Sequence, residues 1–193
     1  MEDASNGQPA ARCCNGFYAL VDYLPAPLGE YLDDLRADLV PGCRLQSHVT
    51  VLPPRELTAP EESLVWALER GLRREYTFDI SIGNVEVFES TNVIYLDLVE
   101  GRDEIERLHR ALSQGLFAYQ EPFPFHPHIT LAQQISDQEL PGKLALARRK
   151  WAEYPHARRF TLDHLTFVRN VDPSHWRMLS EHPLLEASLL KTV

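Results

Sequence analysis

Cysteine is scarce in this sequence, and the few cysteines are poorly placed for disulfides or metal binding. There are three in 193 residues, and Cys13 and Cys14 are neighbours, which strains a bridge between them. The odd count leaves one thiol over, and no pair has the spacing of a zinc site. We therefore expect reduced thiols, with a bridge from Cys43 to either of the other two left open.

Long apolar segments are also missing. No run of about 18 apolar residues occurs, which predicts that the chain has no membrane span. The first dozen residues are small and polar and lack the apolar centre of a secretory signal. We predict a flexible tail over residues 1–14, a single domain over residues 15–193 and a cytoplasmic location.

Positive charge is in short supply. Lys and Arg total 19 against 28 Asp and Glu, a net charge of −9 with neutral histidines. Because long nucleic acids are bound by Lys and Arg that replace phosphate counterions, this balance argues against a long duplex as partner. Any phosphate chemistry must be confined to a pocket. The apolar fraction of 44% predicts an ordinary globular core, and the length requires no partner subunit, so we expect a monomer.

The order of predicted elements repeats along the chain. Strand patterns cover residues 17–24, 48–52, 78–88, 92–99, 128–132 and 160–168, and helical patterns cover 28–39, 61–72, 102–116 and 137–151. Each half reads strand, helix, strand, helix, strand. His48 and His128 lie 80 residues apart, and Phe78 and Phe160, which open the last strands, lie 82 apart. The repeat predicts an internal duplication.

The same tripeptide, His-x-Thr, occupies the third element of each half. It is His48-Val49-Thr50 in the first half and His128-Ile129-Thr130 in the second. Side chains two residues apart on a strand share a face, so each His lies beside its Thr while the middle residue points to the packed side. Two such strands would bring two imidazoles and two hydroxyls to one cleft.

This set of groups suits the cleavage of a phosphodiester. A neutral His can accept a proton from the attacking hydroxyl or water while a protonated His gives one to the leaving oxygen. Thr50 and Thr130 can hold the non-bridging oxygens as charge develops. A zinc site at His126-Pro127-His128 is a weaker alternative, since no acidic residue or cysteine stands at a recognised ligand spacing. We therefore expect neither a metal nor another cofactor.

The two motifs resemble those of the 2H phosphoesterase superfamily, within its 2′-5′ RNA ligase and cyclic phosphodiesterase group. The resemblance rests on SHVTVLPP at residues 47–54 and PHITLA at 127–132, and it spans about 17–184. It implies an α+β, two-lobed duplicated fold, with antiparallel sheets flanking a central cleft and helices outside. It also implies that His48 and His128 are the acid–base pair and that Thr50 and Thr130 hold the phosphate.

One position departs from the family pattern. Several members carry a basic residue shortly after the second motif, where this chain has Gln133. An amide can donate a hydrogen bond but cannot neutralise a phosphate. Another cation would have to serve, with Arg44, Arg55 and Arg177 as candidates, or the substrate carries less charge.

A base or sugar would also need an apolar wall. Tyr18 and Tyr95 lie on matching first strands, 30 and 33 residues before their histidines. Phe88 and Phe125 are further candidates. We include both tyrosines, Gln133, Arg55 and Arg177 as predicted substrate-binding residues.

The resemblance and the residues together predict an enzyme. The expected reaction is metal-independent hydrolysis of a 2′,3′-cyclic phosphate or a 2′-5′ phosphodiester, in a nucleotide or a short RNA end. Hydrolysis is favoured over ligation, because nothing in the sequence supplies an activated donor. The alternative is a non-catalytic module of the same fold that senses nucleotides.

Overall fold

Alternating apolar residues build the strands, and leucines spaced three and four apart build the helices. The computed structural model describes residues 16–172 and 175–186. Its strands are β1 (Phe17–Tyr23), β2 (His48–Glu56), β3 (Phe78–Phe88), β4 (Val93–Glu100), β5 (His128–Ala132), β6 (Arg159–Leu162), β7 (His164–Asp172) and β8 (His175–Pro183). Its helices are α1 (Leu28–Leu39), α2 (Glu61–Leu72), α3 (Arg102–Leu112) and α4 (Leu140–Glu153), with a 3-10 turn at Gly115–Phe117.

The strands form two antiparallel sheets of four, and each half of the chain contributes to both. The first sheet has the order β2-β1-β7-β8 and the second the order β5-β4-β3-β6. Strand β3 follows the helices of the first half but pairs with β4, and β7 comes late in the chain but pairs with β1. This exchange leaves β2 and β5 at the sheet edges, where they lie next to each other. The predicted two-lobed α+β fold is confirmed.

One continuous core joins the two sheets. The leucines on the inner faces of the helices are almost fully buried, as are Val49 and Val51 on β2 and Ile129 and Leu131 on β5. Helix α1 packs on β5 and helix α3 packs on β2, so each crosses to the strand of the other half. The predicted inward direction of Val49 and Ile129 is confirmed, and it leaves the flanking His and Thr on the opposite face.

Most predicted elements are present, but some differ in their bounds. Strand β2 runs through Pro53 and Pro54, which a strand can accommodate because β2 is an edge strand. The helix predicted over 102–116 ends at Leu112, and Gly115, with φ of +57°, takes the chain into the 3-10 turn. Strand β8 had not been predicted.

The strand predicted over 160–168 is two strands. It divides at Asp163 into β6, which pairs with β3, and β7, which pairs with β1. The proposed equivalence of Phe78 and Phe160 is therefore wrong, since Phe160 lies opposite Ile80 within one sheet. The repeat partner of β3 is β7, because each occupies the third position in its sheet order.

The structure describes only part of what was predicted for the termini and the thiols. The predicted tail over 1–14, with Cys13 and Cys14, lies outside the described residues. Cys43 is a free thiol. No helix in residues 16–172 and 175–186 is long and apolar enough to cross a membrane.

Asp22 is a buried carboxyl that destabilises the fold at neutral pH. It is 2% exposed. Burial raises the pKa of Asp22 from 3.8 to about 7, although His164, whose Nε2 lies 3.9 Å away, partly opposes the rise. The folded state therefore binds the carboxyl proton more tightly than the unfolded state, and this tighter binding stabilises the fold at low pH. The stabilisation is lost as the pH rises from about 4 to above 7.

We expect Asp22→Asn to raise the free energy of unfolding above that of the parent at pH 8, because the amide mimics the protonated acid. This gain should be on the order of 3 kcal/mol larger at pH 8 than at pH 4. Urea unfolding at both pH values measures the difference. A difference between variant and parent that does not change with pH would contradict the assignment.

Candidate active site

The two His-x-Thr motifs open the two edge strands that lie side by side. His48 begins β2 and His128 begins β5, and both side chains are half-buried. Thr50 and Thr130 follow at alternate positions and are also half-buried. The crossing of the halves thus places His48 and His128 on adjoining edge strands.

Each imidazole is held in the same way. The Nδ1–H of His48 donates to the carbonyl oxygen of Gln46 at 2.7 Å, and that of His128 donates to the carbonyl oxygen of His126 at 2.7 Å. A carbonyl only accepts hydrogen bonds, so Nδ1 carries the proton in the neutral ring. The lone pair of each ring is therefore on Nε2, the nitrogen that points away from its own strand backbone.

Both histidines are held neutral near pH 7. Burial lowers the pKa of His48 to about 4; the Gln46 carbonyl opposes the fall, and the positive charges of Arg36 and His128 add to it. Burial also lowers the pKa of His128, while the His126 carbonyl and Asp97 act in the opposite direction. A neutral imidazole with a free Nε2 is a proton acceptor.

The surroundings of the two imidazoles differ in charge. Tyr23 stands in register with His48, and its ring meets the imidazole edge to face at 5.9 Å. Asp97 occupies the corresponding position beside His128. Asp97 accepts a hydrogen bond from Arg102, and its Oδ1 lies 3.4 Å from the Nε2 of His126. A carboxylate thus neighbours His128, and a phenol neighbours His48.

Helix α1 contributes a buried cation between the motifs. Arg36 is 5% exposed, and its Nη1 donates to the carbonyl oxygen of Thr130. Its charge lowers the pKa of His48. Arg36 therefore links the helix of the first half to the motif of the second.

Of the predicted aromatic residues, Tyr95 and Phe88 lie at the site. Tyr95 is in register with Thr130, and its ring centre is 5.4 Å from that of His128. Phe88 stacks on Tyr95 at 4.0 Å and meets His128 at 5.1 Å. Phe125 instead stacks on His109, a buried ring on α3, at 3.7 Å.

Tyr18 and Arg177 lie together elsewhere. The Tyr18 hydroxyl donates to Glu61 at the start of α2, and Arg177 donates to both oxygens of the same carboxylate. Tyr18 is in register with Arg55, whereas the residue in register with Thr50 is Val21. Tyr18 and Tyr95 do lie on equivalent strands, β1 and β4, but Tyr18 stands three residues from the position equivalent to Tyr95, and its ring packs in the core.

Arg55 is a structural residue. It is 1% exposed, and it donates to the carbonyl of Phe117 at 2.8 Å and to Glu121 at 2.6 Å. It also lies seven residues beyond His48, about 23 Å along an extended strand. Neither Arg55 nor Arg177 therefore stands with the histidines. Gln133 and Arg44 are exposed, the first directly after β5 and the second in the loop before β2.

The sequence did not point to Arg36, Tyr23 or Asp97 as residues of this site. His126 was considered there only as a metal ligand, and the structure places it beside Asp97. Arg36 could have been found as a charged residue on the leucine face of α1, four residues after Leu32. Tyr23 and Asp97 become visible once the strands are aligned by their motifs. Within residues 16–172 and 175–186, no group of three His, Cys, Asp or Glu side chains could hold a metal.

Comparison with known proteins places these motifs in a family. The family model described as the 2′-5′ RNA ligase superfamily matches residues 24–173. A Bacillus cytotoxicus protein named "Putative phosphoesterase" is 28% identical over 134 residues, 68% of this chain and 74% of that protein. A Geobacillus kaustophilus protein of the same name is 31% identical over 131 residues, 63% of this chain and 72% of its own length.

Solved structures show the same fold. E. coli LigT complexed with phosphate superposes with a TM-score of 0.61 at 17% identity, over 88% of this chain and 98% of that one. E. coli LigT complexed with 3′-AMP has a TM-score of 0.62 at 19% identity, with the same coverage. The predicted resemblance to the 2H phosphoesterases is confirmed.

We expect Asp97→Asn to lower the pKa of His128 further, because the substitution removes the negative charge that raises it. NMR titration of the imidazole signals measures the pKa of each ring. Asp103→Asn, which removes an exposed carboxylate at the start of α3, is the matched control and should shift neither ring. An unchanged His128 titration in Asp97→Asn would show that this carboxylate does not act on the ring.

Proposed function

This chain belongs to the 2′-5′ RNA ligase superfamily, and from that premise we propose that it is a metal-independent phosphodiesterase. The family supports phosphodiesterase-type activity in general. The proposed substrates are 2′,3′-cyclic phosphates or 2′-5′ phosphodiesters of nucleotides or RNA ends. The observation that carries the proposal is the pair of imidazoles on adjoining strands, each with Nδ1 tied to a carbonyl and Nε2 left as the working nitrogen.

In the proposed reaction one histidine removes a proton and the other supplies one. A water oxygen forms a bond to phosphorus as its proton passes to the neutral imidazole. The bond from phosphorus to the leaving ribose oxygen breaks, and that oxygen takes the proton from the Nε2 of the protonated imidazole. The two rings end with exchanged protonation states, and proton exchange with solvent restores them.

The charges around the rings favour one direction for this transfer. The charged and titratable groups that act on the pair are Arg36 and Asp33 of α1 on His48, and His126 and Asp97 on His128. Burial and Arg36 oppose a proton on His48 and lower its pKa to about 4. Burial and His126 also lower the pKa of His128, but Asp97 at its side favours the proton there. We therefore assign His48 as the general base and His128 as the general acid in hydrolysis.

The threonines complete the proposed site. Thr50 and Thr130 share the face of their histidines, so their hydroxyls can donate to the non-bridging phosphate oxygens. Such donors are most effective when aimed at the oxygens on which charge develops. Gln133 cannot neutralise a phosphate, so another residue must supply the cation. Arg55 and Arg177 form ion pairs with Glu121 and Glu61. Of the predicted arginines, the exposed Arg44 is left as the candidate.

The size of the substrate follows from charge. With a net charge of −9, the surface does not favour a long polyanion, and we expect a nucleotide or a short RNA end as the substrate. LigT, which shares the fold, has been crystallised with phosphate and with 3′-AMP, and these ligands are consistent with the proposal.

The direct test is turnover of a 2′,3′-cyclic nucleotide in the presence of EDTA. We expect His48→Ala and His128→Ala each to lower kcat by about 10²–10⁴-fold, because each removes one proton-transfer step. His175→Ala, an exposed histidine on β8, is the control and should retain the parent rate. Tight nucleotide binding by the parent without turnover of cyclic or 2′-5′ substrates would instead identify a sensing module.

The pH dependence tests the assigned direction. The productive free enzyme has neutral His48 and protonated His128, and both pKa values are lowered, that of His48 to about 4. We expect kcat/KM to be highest below pH 6.5 and to fall about tenfold per pH unit on the alkaline side. In the enzyme–substrate complex, the phosphate anion raises the pKa of His128, so the alkaline fall in kcat should occur at higher pH than the fall in kcat/KM. A kcat/KM that is flat from pH 5 to 9 would contradict the assignment.

A further inference from the structure

The outward side of helix α2 carries an exposed tryptophan. Leu64, Leu68 and Leu72 fix the other side of the helix in the main core. Trp66 points away from them and is 57% exposed, although most of a tryptophan side chain is usually covered in a folded protein. A single exposed apolar side chain needs no explanation, but Trp66 has apolar neighbours on two sides.

Two surface hollows border Trp66. The first has a volume of about 360 Å³ and lies towards β8, where Val65 and Leu179 form its apolar lining. The second has a volume of about 410 Å³ and lies towards the 3-10 turn, where the exposed Leu116 lines it. The tryptophan therefore forms a ridge between two hollows. Such a surface can be complementary to itself, because a second copy can place its ridge in a hollow of the first.

The charges along this side of the helix change sign at Trp66. Glu62 lies one turn before Trp66 and lines both hollows. Arg70 lies one turn after it, with its guanidinium 4.6 Å from the centre of the Trp66 ring, and Arg73 is three positions further on. Residues three and four apart share one side of a helix, so these groups form a single stripe. Glu62, Arg70 and Arg73 are exposed, and none forms an ion pair within the part of the chain that the structure describes.

Two copies of this stripe match when the helices run antiparallel. If Trp66 lies at a two-fold axis, each residue before it meets the residue equally far after it on the second copy. Glu62 then lies opposite Arg70 of the second copy, and the same pair forms again on the other side of the axis. Glu69, the acidic residue after Trp66, lies opposite the uncharged Ser63. Parallel helices would instead bring like charges together.

A cationic peptide fits the surface less well than a second copy does. Its charges would match Glu62 and the other glutamates that line the hollows, but it would also face Arg70 and Arg73. The stripe requires a partner with an apolar centre, positive charge at one end and negative charge at the other. Helix α2 itself has these properties in this order.

We propose that the outward side of α2 is a two-fold interface between two copies of this chain, with Trp66 at its centre and Glu62 paired with Arg70 across it. The expectation of a monomer rested on length alone, and length does not exclude a dimer. Helix α2 lies on the packed side of the first sheet, whereas His48 points to the opposite side. The inference is therefore independent of the proposed function.

The test is charge reversal, measured by sedimentation velocity of the full chain at about 1–100 μM, which covers a micromolar Kd. We expect the parent to be a dimer at the upper concentrations. Glu62→Arg and Arg70→Glu should each remove the dimer over this range, because each places like charges opposite one another. An equimolar mixture of the two variants should form a heterodimer, since every charge then faces its opposite. The double variant should dimerise like the parent.

The matched controls make the same changes on another helix. Glu153→Arg and Arg149→Glu reverse exposed charges on α4 and should leave the dimer intact. Circular dichroism verifies the fold of each variant, and the mixture tests both single variants without depending on loss of a signal.

Three results would overturn the proposal. The first is a parent that sediments as a monomer at every concentration, including one that binds a cationic peptide through Glu62. The second is a dimer that persists in both single variants, which would place the interface elsewhere. The third is a mixture of the folded single variants that does not associate.

Discussion

The site depends on one topological constraint, the exchange of strands between the halves. Because β3 pairs with β4 and β7 pairs with β1, neither half can form its sheet alone, and β2 and β5 are left as edge strands that face each other. An edge strand can begin with a half-exposed polar residue without disrupting the hydrogen bonds in the middle of the sheet. The exchange therefore creates the place where His48 and His128 meet.

Duplication supplies two equal histidines, and the surrounding residues make them unequal. The backbone treats both alike, with the same Nδ1–carbonyl bond at 2.7 Å. Burial lowers both pKa values, and the neighbouring charges differ: Arg36 and Asp33 act on His48, whereas His126 and Asp97 act on His128. General acid–base catalysis requires such inequality, because one group must hold a proton that the other lacks. The faces next to the motifs differ as well, since one is filled by aromatic rings.

Local patterns predicted the elements well, and long-range relations were harder to predict. Leucine spacing gave α1 and α2 their bounds, and the repeated tripeptide identified the histidines. Sequence offset alone misplaced Tyr18, because equivalence within a sheet follows register and not distance from a motif. Arg55 and Arg177 form ion pairs with Glu121 and Glu61, which are distant in sequence and come close only in the folded chain. No periodicity carries that information.

The central claim is that a phosphate is held between the two imidazoles, and a crystal structure with bound phosphate tests it most directly. The account predicts a single anion about 2.6–3.2 Å from the Nε2 atoms of His48 and His128, with the hydroxyls of Thr50 and Thr130 in contact. A phosphate bound away from both histidines, with the cleft between β2 and β5 occupied only by water, would contradict it.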